Sequence, residues 1–599
     1  MERESLKELV VHRLLPRVQT PGQYIGGELN AVVKDPRRVR GRLCLAFPDS
    51  YSIGMSHHGL QVLYAVMNRR EDWACERVFA PWTDMEQLLR QNHLPLFSLE
   101  TFTPLARFDI LGFTLQYELC YSNVLTILDL AGIPLSAHER TLDHPLVIAG
   151  GPCAQNPEPM SRFVDLLVIG DGEETLPQVC DEWLRLKHSG GDRTSLLAEM
   201  AAGLPSVYVP QCYEPEHGHD GEVTSLRPTH ENLPEVIQPA VVADLDAVPL
   251  PTAPVVPYVE CVQDRIAIEI MRGCPWRCRF CQSSSIKRPV RFRRVETIVR
   301  AALESYRNTG YNEVSLLSLS TSDYPDFEEL MLRLRETFAP LGVSLSVPSL
   351  RVGEQLLRVS ELLETDRRSG LTLAPEAARD DMRRQIGKRI TNADLIEGCR
   401  KAFQKGFRRV KLYFMCGLPG ERPVDLDGII DLAETISRLG REVAGRPATV
   451  IANVSNFVPK PHTPYQWNAM QTREYFRQAR EHLFARRRLR SVELKCHDIE
   501  ASLLEGVLCR GDRRTGAAIE LAWRRGARFD GWSEHYRPEL WWEALAESGI
   551  DVEATLHRRR PIDARLPWDH VGTRQGRSSL EREQGRSVEQ LAARECSGE

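Results

Sequence analysis

No run of eighteen apolar residues occurs in this chain of 599 residues, so nothing in its sequence reads as a membrane-spanning helix. Its opening residues, Met1-Glu2-Arg3-Glu4-Ser5-Leu6-Lys7, lack the apolar core of a secretory signal, and the expected location is the cytoplasm. A strong charge of either sign is missing too. The 77 Lys and Arg against 82 Asp and Glu give a formal net charge of −5, which excludes a globally basic nucleic-acid binder though not a local basic patch. No internal repeat of fixed period is visible. A disulfide framework is also absent: the 15 cysteines are odd in number and all but three are scattered singly, as expected of small buried side chains in a reducing compartment. What remains is a chain of 42% hydrophobic and 27% charged residues, long enough for several buried cores.

From Arg42 to about Lys187, short apolar runs alternate with amphipathic stretches. Residues 43–47, 77–80, 110–115, 146–149 and 166–169 read as strands, and 60–68 and 121–131 carry helical spacing. This alternation predicts an α/β unit over 1–200, a Rossmann-like parallel sheet with helices on both faces and ligands at the carboxyl ends of its strands. Residues 201–260 are proline-rich and read as a partly ordered linker with a hairpin around 207–224. A second series then begins, with strands expected at 266–270, 313–317, 343–347, 371–373, 410–414 and 450–454. Six strand–helix repeats predict a (β/α)6 partial TIM barrel over 261–465, with its chemistry on the loops after the strands. Residues 466–574 read as a small α+β extension with an Arg-rich helix, a short strand at 492–495 and a Trp-rich segment. The charged stretch 575–599 reads as a disordered tail or a loose helix.

Three cysteines stand apart from the scatter. Met271-Arg272-Gly273-Cys274-Pro275-Trp276-Arg277-Cys278-Arg279-Phe280-Cys281 directly follows the first strand of the second series. Cys274, Cys278 and Cys281 therefore share a strand-end loop and can converge on one centre, and thiolates ligate both zinc and iron–sulfur clusters. A structural zinc wants a fourth ligand nearby, yet the next His, Cys or Asp downstream is Asp323, and no second Cys-x2-Cys pair exists. Three thiolates would instead leave one iron of a [4Fe–4S] cluster without a protein ligand. That open position is what a reactive centre needs, and Phe280 is placed to shield it.

The motif resembles the signature of the radical S-adenosylmethionine (radical SAM) superfamily: Cys-x3-Cys-x2-Cys with an aromatic residue before the third cysteine, on the loop after strand one of a partial barrel. The resemblance implies that the open iron chelates the amino and carboxylate groups of S-adenosylmethionine (SAM). One electron from the cluster then cleaves the sulfonium carbon–sulfur bond, and a 5′-deoxyadenosyl radical takes hydrogen from a substrate. A low-potential donor such as flavodoxin or ferredoxin is implied as partner. So are further cofactor-binding residues. Ser318 and Ser320, in Ser318-Leu319-Ser320-Thr321, take the place of a glycine-rich motif, with serines where the family has glycines. Ser349 and Arg351 fall where ribose or carboxylate contacts come, and Glu376 faces the ligand after strand four. Gly417, in Cys416-Gly417-Leu418-Pro419-Gly420-Glu421, belongs to a turn like the one beside the adenine.

A doubly wound unit ahead of such a barrel resembles the cobalamin (B12)-binding domain of many members, whose loop reads Asp-x-His-x-x-Gly. Here Asp49-Ser50-Tyr51-Ser52-Ile53-Gly54 keeps the aspartate and the glycine but has Tyr51 in place of the ligand histidine, with His57 and His58 just downstream. Phe113-Thr114-Leu115, Gly150-Gly151-Pro152 and Gly170-Asp171-Gly172-Glu173-Glu174 resemble the later loops, which would line a nucleotide-like tail. Over its length the chain looks like the uncharacterised cobalamin-domain radical SAM proteins, with Gly26-Gly27-Glu28-Leu29-Asn30 and Phe457-Val458-Pro459-Lys460-Pro461-His462 among the marks. The expectation is a cytoplasmic radical SAM enzyme using a [4Fe–4S] cluster, SAM and cobalamin to methylate an unknown substrate, with RNA among the candidates. Competing readings are an N-terminal unit that has lost its cofactor, a methylthiotransferase-like enzyme with a second cluster on Cys44, Cys75, Cys120 and Cys153, and a non-catalytic iron–sulfur sensor. His462 is a candidate general acid or base. Arg486 to Arg490, with Lys495, Arg510, Arg513 and Arg514, form a candidate basic stripe.

Overall fold

The computed structural model describes residues 5–218, 223–347 and 370–596. Its N-terminal sheet has the order β2-β1-β3-β4-β5-β6. These strands are β1 (Gly41–Phe47), β2 (Trp73–Phe79), β3 (Ile110–Thr114), β4 (Leu146–Gly150), β5 (Leu166–Val168) and β6 (Val207–Tyr208). All neighbours are parallel except β5 and β6. Near-continuous apolar runs such as Leu43-Cys44-Leu45-Ala46-Phe47 are buried on both faces, as required of a parallel sheet covered by helices. The chain order reverses direction between β1 and β3, and that is where an open α/β sheet has its ligand crevice. Two helices follow β1: a short α1 (Tyr51–Met55) and then α2 (His58–Asn68). The linker is more ordered than its prolines suggest, with β7 (Tyr213–His217) and β8 (Val223–Pro228) paired as an antiparallel hairpin.

The barrel strands fall into two parallel sheets. One joins β9 (Ile266–Glu269), β12 (Glu313–Leu317) and β13 (Ser344–Ser346) in the order β13-β12-β9. The other runs β14-β15-β16-β17, from Leu371–Glu376 through Arg409–Cys416 and Thr449–Asn456 to Val492–Cys496. A two-stranded ribbon of β10 (Met271–Arg272) and β11 (Arg291–Phe292) closes the loop that carries the cysteines. In β15 the side chains alternate: Val410, Leu412 and Phe414 are buried while Arg409, Lys411 and Tyr413 are exposed. One face of this sheet therefore packs on helices and the other stays open.

One expectation is corrected. The strand expected at 492–495 in the C-terminal extension pairs in parallel with β16 from Val450↔Val492 to Val454↔Cys496 and so extends the barrel sheet. Its alternating apolar side chains, Val492 and Leu494, complete the face that the neighbouring strands bury. Of the two readings of the tail the helix holds, over Arg577–Cys596, and it is packed on the barrel through Leu580, Gln584, Ser587 and Arg594 rather than loose.

Candidate functional site

The cysteine loop is tied on several sides. Gly273, at φ +90, opens it, and a β-carbon there would lie 2.5 Å from the Lys287 carbonyl oxygen, so this close approach of backbone to backbone admits only glycine. Cys281 forms the N-terminal boundary of α3 (Gln282–Ile286) and donates its N–H to the Cys278 carbonyl at 3.0 Å. Arg288 donates to the Trp276 carbonyl at 2.9 Å. Trp276 Nε1 donates to Asp323 Oδ2 at 2.6 Å, and the Ser320 hydroxyl donates to the same carboxylate. Cys274, Cys278 and Cys281 are half-buried. Among the described residues no three His, Cys, Asp or Glu side chains close around a single ion. In a cluster each sulfur takes a different iron, so a shared loop rather than one common point is the relevant arrangement.

Around this loop the structure gathers several of the expected cofactor residues. Phe280 packs against a small apolar group with Ala377, Met382, Ile386, Leu418 and Phe457. Ser318 exchanges a hydrogen bond with Thr321 at 2.7 Å and accepts from the Ser320 N–H at 3.2 Å. Glu376 has φ +64, an uncommon conformation for a residue with a side chain. Burial pushes its carboxyl above the usual range, opposed by Lys388, whose Nζ lies 3.0 Å away. The Gly417 N–H donates to Glu421 Oε2 at 2.7 Å. Ser349 and Arg351 lie outside the described residues.

On the N-terminal side, a cavity of about 460 Å³ opens between the sheet and the barrel. Leu45, Ile148 and Val168 of the sheet and Val62 and Leu63 of α2 form its apolar wall, while Glu269, Arg272, Gly273, Lys287 and Ser318 face them from the barrel. Gly150 and Gly151 line it as expected. Asp49, Tyr51 and Gly54 do not. The Asp49 carboxylate accepts from Trp532 Nε1 at 2.9 Å and from the Tyr117 hydroxyl. Tyr51 donates its hydroxyl to Glu28 Oε1 at 3.0 Å, and Gly54 lines a different, smaller pocket. In their place α2 brings two histidines to the cavity. His57 Nδ1 accepts from the Leu60 N–H at 3.1 Å and caps the helix, and burial lowers its pKa to about 4. Burial lowers His58 as well, and neither of its ring nitrogens has a hydrogen-bond partner among the described residues. The Gly170–Glu173 loop is gripped from the barrel. Asp171 pairs with Arg272 at 3.1 Å and Arg291 at 2.6 Å, and Glu173 pairs with Arg272 at 2.5 Å. Burial disfavours the charge on Asp171, but Arg272, Lys287 and Arg291 together outweigh it and hold its carboxyl at about 2.

Sequence reasoning named His58 beside the Asp49–Gly54 loop but missed Arg272, which shares the cavity wall with it. Its adjacency to the Gly273-Cys274 segment was the available signal. The other candidates settle elsewhere. Cys44 and Cys75 are buried inside adjacent strands, whereas Cys120 and Cys153 lie in a separate place beside Glu118. His462 is buried with Nε2 against the Gln155 carbonyl at 2.8 Å, and burial lowers its pKa to about 4. Trp523 and Trp541 are buried.

A parallel α/β unit thus faces a partial barrel whose first strand-end loop carries three thiols, the arrangement that the resemblance to iron–sulfur enzymes of the SAM-cleaving kind implies. Comparison with known proteins agrees. A family model described as "Radical SAM superfamily" matches residues 268–433, and one described as "Radical SAM proteins, N-terminal" matches 59–210, together more than half of the chain. The chain belongs to the radical SAM superfamily, whose enzymes take a [4Fe–4S] cluster and SAM and need an electron donor. It is 27% identical over 382 residues to an uncharacterised protein of Methanocaldococcus jannaschii, covering 63% of this chain and 72% of that one. Two solved structures are similar at low identity. The radical SAM methyltransferase TsrM from Kitasatospora setae, with tryptophan substrate and a SAM analogue bound, aligns at 15% identity over 69% of this chain and 73% of its own, with a TM-score of 0.44. The cobalamin-dependent SAM radical enzyme OxsB, with aqua-cobalamin bound, aligns at 13% identity over 93% and 80%, with a TM-score of 0.45. No described helix is long and apolar enough to cross a membrane.

Proposed function

We propose that the enzyme joins reductive cleavage of SAM to methyl transfer, with a cobalamin seated between the N-terminal sheet and the barrel. The cavity carries this reading. Its 460 Å³ lie at the carboxyl ends of β1, β3, β4 and β5, and its far wall includes Gly273 and Lys287 of the cysteine loop, so a ligand held by the sheet touches the loop that carries the thiols. The donor set fits such a ligand. The wall is largely apolar, Gly112 and Gly150 leave backbone open to it, and the unpartnered His58 nitrogens supply a polar group that lacks a partner within the protein. When bound, the cluster supplies the electron that opens the sulfonium bond, and cobalamin supplies a methyl carrier.

In this reading Cys274, Cys278 and Cys281 hold the cluster, and Ser318, Ser320, Glu376 and Gly417 surround SAM. Phe280 and its apolar neighbours exclude water from the reacting face. Lys388, 3.0 Å away, offsets part of the burial that raises the Glu376 carboxyl, and the carboxyl oxygens can accept from a ligand amine or hydroxyl. Asp49, Tyr51 and Gly54 shape the fold behind the cavity. Of the basic residues suited to RNA, Arg510 is fully buried, Arg513 pairs with Glu158 at 2.9 Å and Arg486 with Asp431 at 2.7 Å, while Arg487, Arg488 and Arg490 are exposed. A flavodoxin or ferredoxin of the cytoplasm fits the electron-donor role.

The test is anaerobic reconstitution with iron, sulfide and hydroxocobalamin, followed by gel filtration and dithionite reduction in the presence of SAM. Co-elution of one corrinoid per chain and SAM-dependent methylation are expected. Formation of 5′-deoxyadenosine by a protein that retains no corrinoid would leave the radical enzyme standing and remove methyl transfer.

A further inference from the structure

The C-terminal helix Arg577–Cys596 lies on the barrel behind the cysteine loop. Leu580, Gln584, Ser587, Leu591 and Arg594 recur at the spacing of one helical face. Gln584 Nε2 donates to Asn468 Oδ1 at 2.9 Å, and Ser587 shares a 2.9 Å hydrogen bond with Tyr465. Leu591 lies so close to Gly420, in the turn expected beside the adenine, that a β-carbon there would come within 2.2 Å of it. Arg594 reaches Asp381 at 3.2 Å and Asp425 at 3.1 Å.

Glu583 and Gln590 project from the same helix towards one residue of the cysteine motif, Arg279, which stands between Cys278 and Cys281. Arg279 is only 4% exposed. Its Nη1 donates to Gln590 Oε1 at 2.5 Å and to the Gln385 carbonyl, and its Nε and Nη2 donate to Glu583 Oε2 at 3.3 Å. Its backbone N–H donates to the Ile386 carbonyl at 2.9 Å. A buried guanidinium is tolerated only where its donors are met. Here they are met jointly by the 385–386 turn and the C-terminal helix, so the turn between two thiols cannot swing outward without stranding a buried charge.

We propose that the C-terminal helix is a brace for the cluster-binding loop, with Arg279 as a positioning residue that holds Cys278 and Cys281 in place for the cluster. The proposal rests on the reading that Cys274, Cys278 and Cys281 ligate the cluster. Partners that orient metal ligands commonly change metal affinity by about 10–100-fold, and holding the loop beforehand reduces the conformational entropy lost when the cluster binds.

The experiment uses the full chain, reconstituted anaerobically with iron and sulfide, and follows iron release to a chelator and the midpoint potential of the cluster. Arg279→Lys keeps the charge but not the fork. Glu583→Gln with Gln590→Ala leaves Arg279 intact and removes the helix's side of the contact. Both are expected to release iron about tenfold faster than wild type, with a shifted midpoint potential. Gln584→Ala loosens the same helix away from Arg279 and should lower the unfolding temperature while iron release and potential stay at wild-type values. Should Arg279→Lys fail to fold, the Glu583/Gln590 variant decides alone. Release at the wild-type rate from the variants that fold overturns the brace while leaving the cluster in place. A wild-type chain that takes up no iron overturns the cluster reading and the brace with it.

Discussion

Glu421 closes the turn that contains Gly417, with its carboxyl drawn inward to the Gly417 N–H and the Tyr475 hydroxyl. Burial is the largest influence and raises its pKa to about 7, against those two donors. The native state therefore binds this proton more tightly than the unfolded chain, in which the value is near 4.5. Its contribution is fully present below the unfolded value and is lost as pH rises through about 7, on the order of 3 kcal/mol at most. The unfolding temperature of the wild type should fall more steeply between pH 5 and 8 than that of Glu421→Gln, and parallel curves would show that the carboxyl is not buried in this way. Gly273→Ala is expected to cost on the order of 1–3 kcal/mol, seen as a lower urea midpoint together with reduced iron uptake. An unchanged midpoint would mean that the loop can give way at Lys287. At this scale the sharing of one loop by the three cysteines was readable, because that signal is pure local spacing. The places of Asp49 and Tyr51 were not, because their partners, Trp532 and Glu28, come from distant parts of the chain.

Strands were legible where apolar runs were short and bounded, and β9, β12, β15 and β16 fall where alternation put them. The packing of the C-terminal helix was not, and the reason is chemical. Gln584, Ser587 and Arg594 make its buried stripe polar, so no amphipathic period marks it, and burial of these groups is acceptable only because Asn468, Tyr465, Asp381 and Asp425 receive them. The loop after β5, read as a ligand loop, does line the cavity, and its acidic residues grip the barrel as well. Asp171→Asn removes the charge that offsets Arg272, Lys287 and Arg291. Arg272 keeps Glu173 and Glu269, but the buried Arg291 loses its carboxylate, which should cost about 3–5 kcal/mol, measured as a lower urea midpoint at neutral pH. A loss confined to the few tenths of a kcal/mol typical of an exposed pair would mean that water reaches this network.

At the scale of the molecule, the two barrel sheets belong to different hydrophobic cores. β14 to β17 share one continuous core with the N-terminal sheet and the C-terminal helices around Trp523 and Trp541. β9, β12 and β13 pack with Ile298, Leu330, Leu334 and Phe338 into a separate, smaller one. That smaller half leads into the cysteine loop and meets the N-terminal sheet across the cavity, largely through ion pairs such as Arg272–Asp171 and Arg272–Glu173. Sequence alternation predicted one barrel; it had no means of showing that the barrel is divided energetically, because the division depends on which helices cover which strands. Opening free energies follow the apolar surface that each cooperative unit buries. Amides of β12 and of the helices Val295–Thr309 and Phe327–Phe338 should therefore exchange through a sub-global opening, at lower free energy than those of β1, β3, β15 and β16. Native-state hydrogen exchange in low denaturant reads this directly. Asp171→Asn should lower the opening free energy of the smaller half further, while the larger core keeps its protection relative to global unfolding. Equal protection in both halves would mean that the cavity between them is bridged by packing as strong as either core, and that the cysteine loop is held on a single rigid body.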